Sequence, residues 1–311
     1  MWGFLFQLYS MHLNLKSGFK KKIFKTYGTN GQKWLKNIPF ILDKCKNYWK
    51  ISIGPSNYKL SYNYITKVYL QNRKEAILKI GFPQEKELIT EMEALLYFNK
   101  RCCVKMIDFN KELGAILLEK INPGTSLRTI QVNDDKKATE IAANLINNIN
   151  IAIPKQHSFP KIADWVKIFN NTNKLNIKSK LIINLVGKAK EIYQDLVKDS
   201  YDSLLLHGDL HHDNILYDRQ KGWLAIDPKG VIGNPIFDFA RLIQNFWGSK
   251  ITSELVQNRL EMISSIVGYN KSLLARWTFI DYIMSNLWSI KEKNKFEVDK
   301  IFIKTLQANL I

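Results

Sequence analysis

The chain is short of cysteine. Its 311 residues include three, and the adjacent pair Cys102 and Cys103 with the distant Cys45 offers neither a disulfide framework nor a metal-ligand spacing. Such usage is typical of a reducing compartment, and we expect a cytoplasmic protein. Apolar residues make up 46% of the chain and charged residues 24%, so the composition excludes a disordered or fibrous protein.

Long apolar runs are also missing. The opening segment 1–15 is apolar, but polar residues interrupt it, no basic residue precedes it, and it is too short to span a bilayer. We therefore expect neither a signal peptide nor a transmembrane helix. Two interpretations of this segment stay open: a short interfacial anchor followed by the basic residues 20–22, or an extension upstream of a start at Met11.

Acidic residues are few compared with basic ones. There are 46 Lys and Arg against 28 Asp and Glu, a formal net charge of +18, which attracts polyanions such as nucleic acid, acidic membrane surfaces and nucleotide phosphates. Lys outnumbers Arg, and Asn and Ile are abundant, which indicates a general compositional bias over solvated faces. Because no nucleic-acid-reading motif with interleaved aromatics accompanies the charge, we expect no nucleic-acid partner.

The spacing of apolar residues predicts both helices and strands in the first part of the chain. Helical spacing between residues 19 and 49 is interrupted by Gly28 and Gly31, which predicts two short helices. Beyond them, β-prone runs predict a hairpin and two further strands around one helix, forming a small antiparallel sheet. The predicted strands are 64–70, 75–80, 104–109 and 115–121, and the predicted helix is 87–99.

Helical spacing dominates the second part of the chain. We expect an α+β chain of two lobes: a small lobe with the N-terminal extension at 1–118, a hinge at 119–124 and a larger helical lobe at 125–311. Two segments, 203–218 and 223–235, break the helical pattern as apolar strands that end in polar residues, an arrangement that delivers side chains to a site. The predicted helices are 135–150, 178–199, 235–247, 253–267, 271–290 and 298–309.

The segment HGDLHHDN at 207–214 concentrates titratable side chains. Asp209 is followed five residues later by Asn214, and the next apolar strand ends at Asp227. This order is that of the phosphotransfer residues of the protein-kinase-like fold. A carboxylate can orient and deprotonate an attacking hydroxyl, and the Asn and second Asp supply hard oxygen ligands for Mg²⁺. We expect Asp209 to be the catalytic base and Asn214 and Asp227 to be the magnesium ligands.

A transition-metal site is the alternative interpretation of the same segment. His207, His211 and His212 lie beside two aspartates, but their spacing matches no known ligand pattern, and Asp227 would remain unexplained. His207 itself is predicted to be structural, forming hydrogen bonds within the loop.

Phosphotransfer also requires a lysine on a strand of the small lobe and a carboxylate on the following helix. Lys79, in the strand AILKI, is predicted to bind the α and β phosphates of ATP. Glu91, twelve residues further on, is the preferred partner of Lys79, and Glu87 and Glu93 are the alternatives.

The sequence contains no glycine-rich phosphate loop. In its expected place the segment LSYNY at 60–64 offers the side chains of Ser61 and Asn63, with backbone N–H groups, to cover the phosphates. The segment LLEKI at 117–121 is predicted to bind adenine through its backbone groups, with apolar contacts from the side chains of Leu118 and Ile121. The adenine-binding residues in this prediction are Leu118, Glu119 and Ile121.

Together these segments resemble the aminoglycoside 6-phosphotransferase (streptomycin kinase) and hydroxyurea phosphotransferase family of the aminoglycoside phosphotransferase superfamily. The resemblance covers nearly the whole chain, and LHGDLHH at 206–212 and IDPKG at 226–230 are its most specific segments. It implies a two-lobed protein-kinase-like fold and ATP- and Mg²⁺-dependent phosphorylation of a hydroxyl on a small polar molecule, with an aminoglycoside such as streptomycin as the expected acceptor. The other matching segments are YGTNG at 27–31, WL at 34–35, LSYNY at 60–64, LKIG at 78–81, EMEAL at 91–95, GAILLE at 114–119 and PGTSL at 123–127.

The resemblance also implies residues that bind the acceptor and a residue that holds the catalytic loop in place. Asp238 matches the family position that braces this loop. The histidine pair either positions an acceptor hydroxyl or makes supporting hydrogen bonds, and the second is favoured. The candidate acceptor residues are His211, His212, Asp213, Lys229 and Trp288.

Two departures from the family pattern concern the acceptor. Streptomycin is cationic, whereas this chain is basic in both halves, and Lys291 stands where the family pattern has an acid, with Glu292 one place later. A kinase of an unrelated metabolite, or of a protein or lipid at a membrane surface, is therefore one alternative. A non-catalytic nucleotide-binding scaffold is the other, and the presence of the base and both metal ligands argues against it.

Overall fold

The computed structural model describes residues 15–55, 58, 60–83, 85–98, 102–198, 203–246, 250–292 and 298–310. The chain divides into two compact units, the first comprising Met1–Met92 with Lys105–Lys120 and the second Glu93–Val104 with Ile121–Ile311. The lobe and hinge boundaries expected from the sequence stay predictions. Both interpretations of the opening segment concern residues 1–14, which lie outside the described residues.

An antiparallel sheet with a long helix builds the first unit. Its elements are α1 Ser17–Trp49, β1 Ser52–Ile53, β2 Tyr64–Tyr69, β3 Glu75–Ile80, the part of α2 Lys86–Phe98 that precedes Glu93, β4 Met106–Asn110 and β5 Ala115–Glu119. The five strands lie in the order β1-β2-β3-β5-β4, and all four pairs are antiparallel. The predicted hairpin, β2 and β3, and the predicted helix and strands that follow it are confirmed within a few residues.

Helix α1 consists of two helical segments joined at Gly28, where φ is 58° and ψ is −137°. The prediction of two helices is therefore confirmed, but the second, at 29–49, is longer than expected, and the prediction that Gly31 also interrupts them is wrong. Gly31 is helical and buried, and a Cβ atom there would lie only 2.7 Å from the Ile23 carbonyl oxygen. The sequence places glycine at 31 because the two segments approach each other closely, and Ile23 and Trp34 on their inner faces join the sheet's core.

The second unit is mainly helical. Two small antiparallel sheets accompany the helices, β7 with β10 and β6-β8-β9, and all six predicted helices are present, some shorter than expected. None of the helices in the described residues is long and apolar enough to span a membrane. The elements are β6 Pro123–Ser126, α3 Arg128–Gln131, α4 Asp135–Ile149, α5 Ile162–Val166, α6 Lys180–Leu196, β7 Leu204–Leu206, β8 Ile215–Asp218, β9 Gly222–Ala225, β10 Val231–Gly233, α7 Ile236–Ile243, α8 Ser253–Val267, α9 Lys271–Lys291 and α10 Lys300–Gln307.

Candidate active site

The loop that follows β7 carries Asp209 and is fixed by Asp238. Asp238 lies in the first turn of α7, is fully buried, and accepts hydrogen bonds from the backbone N–H groups of His207 (2.9 Å) and Gly208 (2.8 Å). Gly208 has φ of 82°, and a Cβ atom there would lie 2.9 Å from Cγ1 of Val231 on β10. These contacts support the bracing role predicted for Asp238 and explain the glycine of the HGD sequence.

The His207 side chain is a fully buried connector between two loops. Its Nδ1 accepts a hydrogen bond from the Asp209 backbone N–H (3.3 Å), so its proton lies on Nε2, which donates to the Ile226 carbonyl (2.9 Å). Burial lowers the pKa of His207 to about 4, and the ring is neutral at neutral pH. This placement supports the structural role predicted for His207.

Two further hydrogen bonds join Asp209, Asn214 and the residue before Asp227. The Nδ2 group of Asn214 donates to the Asp209 carbonyl (3.0 Å), which leaves the Asn214 Oδ1 atom to coordinate a cation. The Asn214 carbonyl accepts from the backbone N–H of Ile226 (2.9 Å), the residue before Asp227. Asp227 adopts φ of 58°, in the left-handed region that residues with a Cβ rarely occupy.

Two cations flank the Asp209 carboxylate. Lys229 Nζ lies 3.7 Å from Oδ2, and Arg241 Nε lies 3.5 Å from Oδ1. Burial alone would raise the pKa of Asp209, but the charges of Lys229 and Arg241 outweigh it and lower the pKa to about 2. Asp209 is therefore ionised at neutral pH and can accept a hydrogen bond from a hydroxyl group.

Arg241 is a site residue that the sequence analysis missed. Its Nη1 donates to Ser285 Oγ (2.9 Å) and its Nη2 to Oδ1 of Asp281 (3.1 Å), while Gln244 donates to the second Asp281 oxygen. Asp281 is fully buried in α9. An arginine and an aspartate among the apolar positions of α7 and α9 were the available signal, because buried charges of opposite sign pair with each other.

An open cavity of about 470 Å³ adjoins Asp209, within the size range of small-molecule sites. His211, one of the predicted acceptor residues, lines it and is partly exposed. The lining residues are Asp209, His211, Arg241, Gln244, Asn245, Phe246 and Ile251.

The other predicted acceptor residues have different surroundings. His212 is fully buried, and its Nδ1 lies 3.2 Å from Asn245 Oδ1, a placement that favours the supporting hydrogen-bond alternative. Asp213 pairs with Arg128 at 3.1 Å. Lys229 Nζ lies 5.9 Å from the centroid of the Trp288 ring, so these two predicted residues are neighbours close to Asp209.

In the first unit, the structure pairs Lys79 with Glu91. Lys79 lies on the central strand β3, and its Nζ is 2.6 Å from Glu91 Oε1 on α2, with both side chains buried. Glu87 is exposed, and Glu93 instead accepts hydrogen bonds from the backbone and hydroxyl of Ser158. The geometry therefore selects Glu91 among the three glutamates considered.

The other residues predicted to bind the nucleotide differ in their exposure and contacts. Ser61 is exposed, and the Asn63 Oδ1 atom would lie 2.9 Å from a Cβ atom at Gly81. Leu118 and Ile121 are buried, and the Glu119 carboxylate accepts from the Lys105 backbone N–H at 2.9 Å. Their roles at phosphates and adenine stay predictions.

The donor set suits magnesium better than a transition metal. Within the ranges given above, no group of three or more His, Cys, Asp or Glu side chains is arranged to hold a metal ion, so the geometry gives the transition-metal alternative for the histidines no support. Asn214 and Asp227 offer a carbonyl and a carboxylate oxygen, and Mg²⁺ in kinases takes one or two such ligands plus phosphate oxygens and water. The residues present therefore fit this ion.

Similarity to a solved structure shows the fold of the protein. The aminoglycoside phosphotransferase APH(4)-Ia, in a thermostable mutant form, aligns with a TM-score of 0.60 at 12% identity, covering 87% of this chain and 97% of that one. The fold is thus the α+β protein-kinase-like fold, and the predicted fold class is confirmed.

Similarity in sequence defines the family. The family model for aminoglycoside/hydroxyurea antibiotic resistance kinases matches residues 60–292. Streptomycin 6-kinase of Streptomyces griseus is 21% identical over 300 residues (91% of this chain, 93% of the relative), and hydroxyurea phosphotransferase of Kitasatospora aureofaciens is 23% identical over 269 residues (85% and 77%). The chain belongs to the aminoglycoside/hydroxyurea antibiotic resistance kinase family. It is a small-molecule kinase, a phosphotransferase whose acceptor is an alcohol group.

Proposed function

We propose that this kinase uses ATP and Mg²⁺ to phosphorylate a hydroxyl group of a small polar molecule, with an aminoglycoside such as streptomycin as the first candidate. The observation that carries the proposal is the hydrogen-bonded loop that joins ionised Asp209 to Asn214 and to the residue before Asp227. The acceptor candidate comes from the relatives, which are named for streptomycin and hydroxyurea.

Asp209 acts on the acceptor. Its carboxylate accepts the hydrogen bond of the acceptor hydroxyl and aligns that oxygen with the γ-phosphorus. As the new P–O bond forms, the bond between the γ-phosphorus and the β–γ bridging oxygen breaks, ADP leaves, and the hydroxyl proton passes to Asp209. Because the pKa of Asp209 is held at about 2, the carboxylate is a weak base, and alignment contributes more than early proton removal.

The remaining residues act on the nucleotide. The Asn214 Oδ1 atom and the Asp227 carboxylate would hold Mg²⁺, which when bound neutralises charge on the phosphates. Lys79, fixed by Glu91, would bind the α and β phosphates. The segment with Ser61 and Asn63 would cover the phosphates, and the backbone at Leu118, Glu119 and Ile121 would bind adenine.

The test is ADP release by the purified protein with ATP and Mg²⁺, alone and with streptomycin, other aminoglycosides, hydroxyurea, sugars and amino alcohols. We expect release that depends on the acceptor, with streptomycin among the active compounds. Mg²⁺-dependent ATP binding with no turnover on the whole panel would contradict the acceptor class. Failure to bind ATP with Mg²⁺ would contradict the proposal altogether.

A further inference from the structure

The net charge of the chain is concentrated at helix α1. Residues 16–50 contain ten lysines, no arginine and one acidic residue, Asp43, so this segment carries a formal charge of +9, half of the +18 of the whole chain. A general compositional bias toward lysine would spread the excess evenly along the chain. The concentration at one helix therefore points to a function of the surface of that helix.

The second helical segment of α1, which follows Gly28, has lysines and aromatic residues on its solvent side. Five exposed side chains recur there at intervals of three or four residues, and this spacing places them along one side of the helix. They are Lys33, Lys36, Phe40, Lys44 and Tyr48, and we call them the basic face of α1.

The helix itself has no acidic side chain to neutralise the basic face. Asp43 is the one acidic residue of α1, and its Oδ1 atom lies 3.9 Å from Lys46 Nζ. Lys44 Nζ instead lies 5.2 Å from the centroid of the Phe40 ring. The lysines of the basic face therefore attract anions from solution.

The basic face borders a cavity of about 720 Å³ between α1 and the residues that follow β3. Lys33 and Lys36 line this cavity with two asparagines of α1 and with Phe82 and Pro83, and none of its described lining residues is acidic. Lysine ammonium and asparagine amide groups donate hydrogen bonds to phosphate oxygens. The cavity therefore offers both charge and hydrogen-bond donors to a phosphate-bearing head group.

The aromatic residues of the basic face favour a lipid surface among the possible anionic partners. Phe40 is 57% exposed and Tyr48 is 58% exposed, so two large rings lie in water beside lysines. At a membrane surface such rings enter the head-group region, while lysine side chains extend their ammonium groups to the lipid phosphates. Nucleic-acid recognition commonly uses arginine, which binds phosphates and base edges through two parallel hydrogen bonds, and the basic face contains no arginine.

We propose that the basic face of α1 docks the protein on a membrane surface that contains anionic phospholipids. The lysines bind the lipid phosphates, and Phe40 and Tyr48 enter the head-group region. This inference does not depend on the proposed function, because neither the nucleotide nor the acceptor takes part in the contact.

The test is co-sedimentation of the full chain with vesicles of phosphatidylcholine, either alone or mixed with about 30% phosphatidylglycerol, at about 0.1 M salt. We expect the wild type to bind the mixed vesicles at least about tenfold more tightly than the neutral ones. K33Q/K36Q/K44Q should bind the mixed vesicles at least about tenfold more weakly than the wild type, because each lysine near an anionic surface adds to the affinity.

A matched control separates the basic face from the net charge of the protein. K136Q/K178Q/K304Q removes the same charge from three exposed lysines of the second unit. Its affinity for the mixed vesicles should stay within about threefold of that of the wild type, since lysines distant from the contact act only through a screened potential.

The aromatic residues are tested at unchanged charge. F40Q/Y48Q should bind the mixed vesicles at least about threefold more weakly than the wild type, because less apolar surface then enters the head-group region. The matched control is L181Q/I183Q, which replaces two apolar residues of α6 that are 48% and 44% exposed. This control should bind the vesicles as the wild type does.

Equal losses of affinity in the two triple variants overturn the proposal, because the attraction then follows from net charge alone. Equal binding of the wild type to neutral and mixed vesicles overturns it as well. Full vesicle affinity in F40Q/Y48Q overturns the lipid assignment, and tighter binding of the wild type to a short DNA duplex than to the mixed vesicles would then identify the partner as a nucleic acid.

Discussion

Asp227 combines an unfavourable backbone conformation with a position at the end of an apolar strand. At φ of 58° an aspartate sits in the left-handed region, at a cost of about 1 kcal/mol relative to ordinary backbone. The Ile226 N–H bond to Asn214 and the Ile226 carbonyl bond to His207 hold the chain on the preceding side. Such strain beside Asn214 is typical of a residue kept for binding and not for stability.

For the metal role of Asp227, the informative substitution is Asp227→Asn. Asparagine also tolerates the left-handed region, so the fold is retained while the carboxylate charge is lost. We expect ATP affinity in the presence of Mg²⁺ to fall at least about tenfold, because a carboxylate binds Mg²⁺ far better than an amide does. Calorimetry with and without Mg²⁺ measures this, and the affinity without the ion should be unchanged. Equal affinity of variant and wild type in Mg²⁺ would show that Asp227 is not a ligand.

Among the elements, the long helices were predictable with their bounds, whereas the shortest strands were predictable only as apolar segments without bounds or pairing. Helix α8 repeats its apolar positions over four turns, enough to identify it from spacing alone, and its predicted bounds match the structure. Strands such as β10, with three residues, contain too little pattern, and their pairing with β7 is decided by contacts distant in sequence. In the candidate site, too, contacts between residues distant in sequence could not be predicted. Asp209, Asn214 and Asp227 lie in two neighbouring segments of the sequence, whereas Arg241 meets Asp281 only because α7 packs on α9.

Helix α1 offers a test of why glycine occurs at position 31. Gly31→Ala would place a Cβ atom 2.7 Å from the Ile23 carbonyl oxygen, and a backbone atom cannot move aside easily. We expect the free energy of unfolding to fall by about 1–3 kcal/mol in urea denaturation. Gly187→Ala in α6 is the control, since nothing lies within 4 Å of its Cβ position, and it should stabilise the protein by up to about 1 kcal/mol. If both substitutions stabilise, the close approach in α1 does not exist.

At the scale of the whole molecule, buried histidines make stability depend on pH. Burial lowers the pKa of His212 to about 3 and that of His207 to about 4, whereas an unfolded histidine titrates near 6.5. Below pH 6.5 the unfolded chain therefore binds more protons than the folded one, and this stability is lost as the pH falls toward the folded pKa values. Asp238, whose pKa burial raises to about 7, acts in the opposite direction between about pH 4 and 7.

Comparison of the wild type with His212→Asn isolates the contribution of His212 to the pH dependence of stability. The asparagine amide can donate to Asn245 as the His212 Nδ1 does, and Asp238 contributes equally to both proteins. The wild type should be more stable at pH 7, and its advantage should shrink by about 2 kcal/mol between pH 7 and pH 5, as only the wild type gains a proton on unfolding there. Urea denaturation at both pH values measures the difference. An advantage that stays constant would mean that His212 is accessible to protons in the folded protein.

The most direct test of the central claim, that Asp209 directs phosphoryl transfer to a hydroxyl group, is acceptor-dependent ADP release by Asp209→Ala beside the wild type, with ATP affinity measured on the same samples. The account predicts turnover at least about 100-fold lower with ATP affinity nearly unchanged, the scale expected for loss of a general base and aligning group. Turnover equal to that of the wild type would contradict the account.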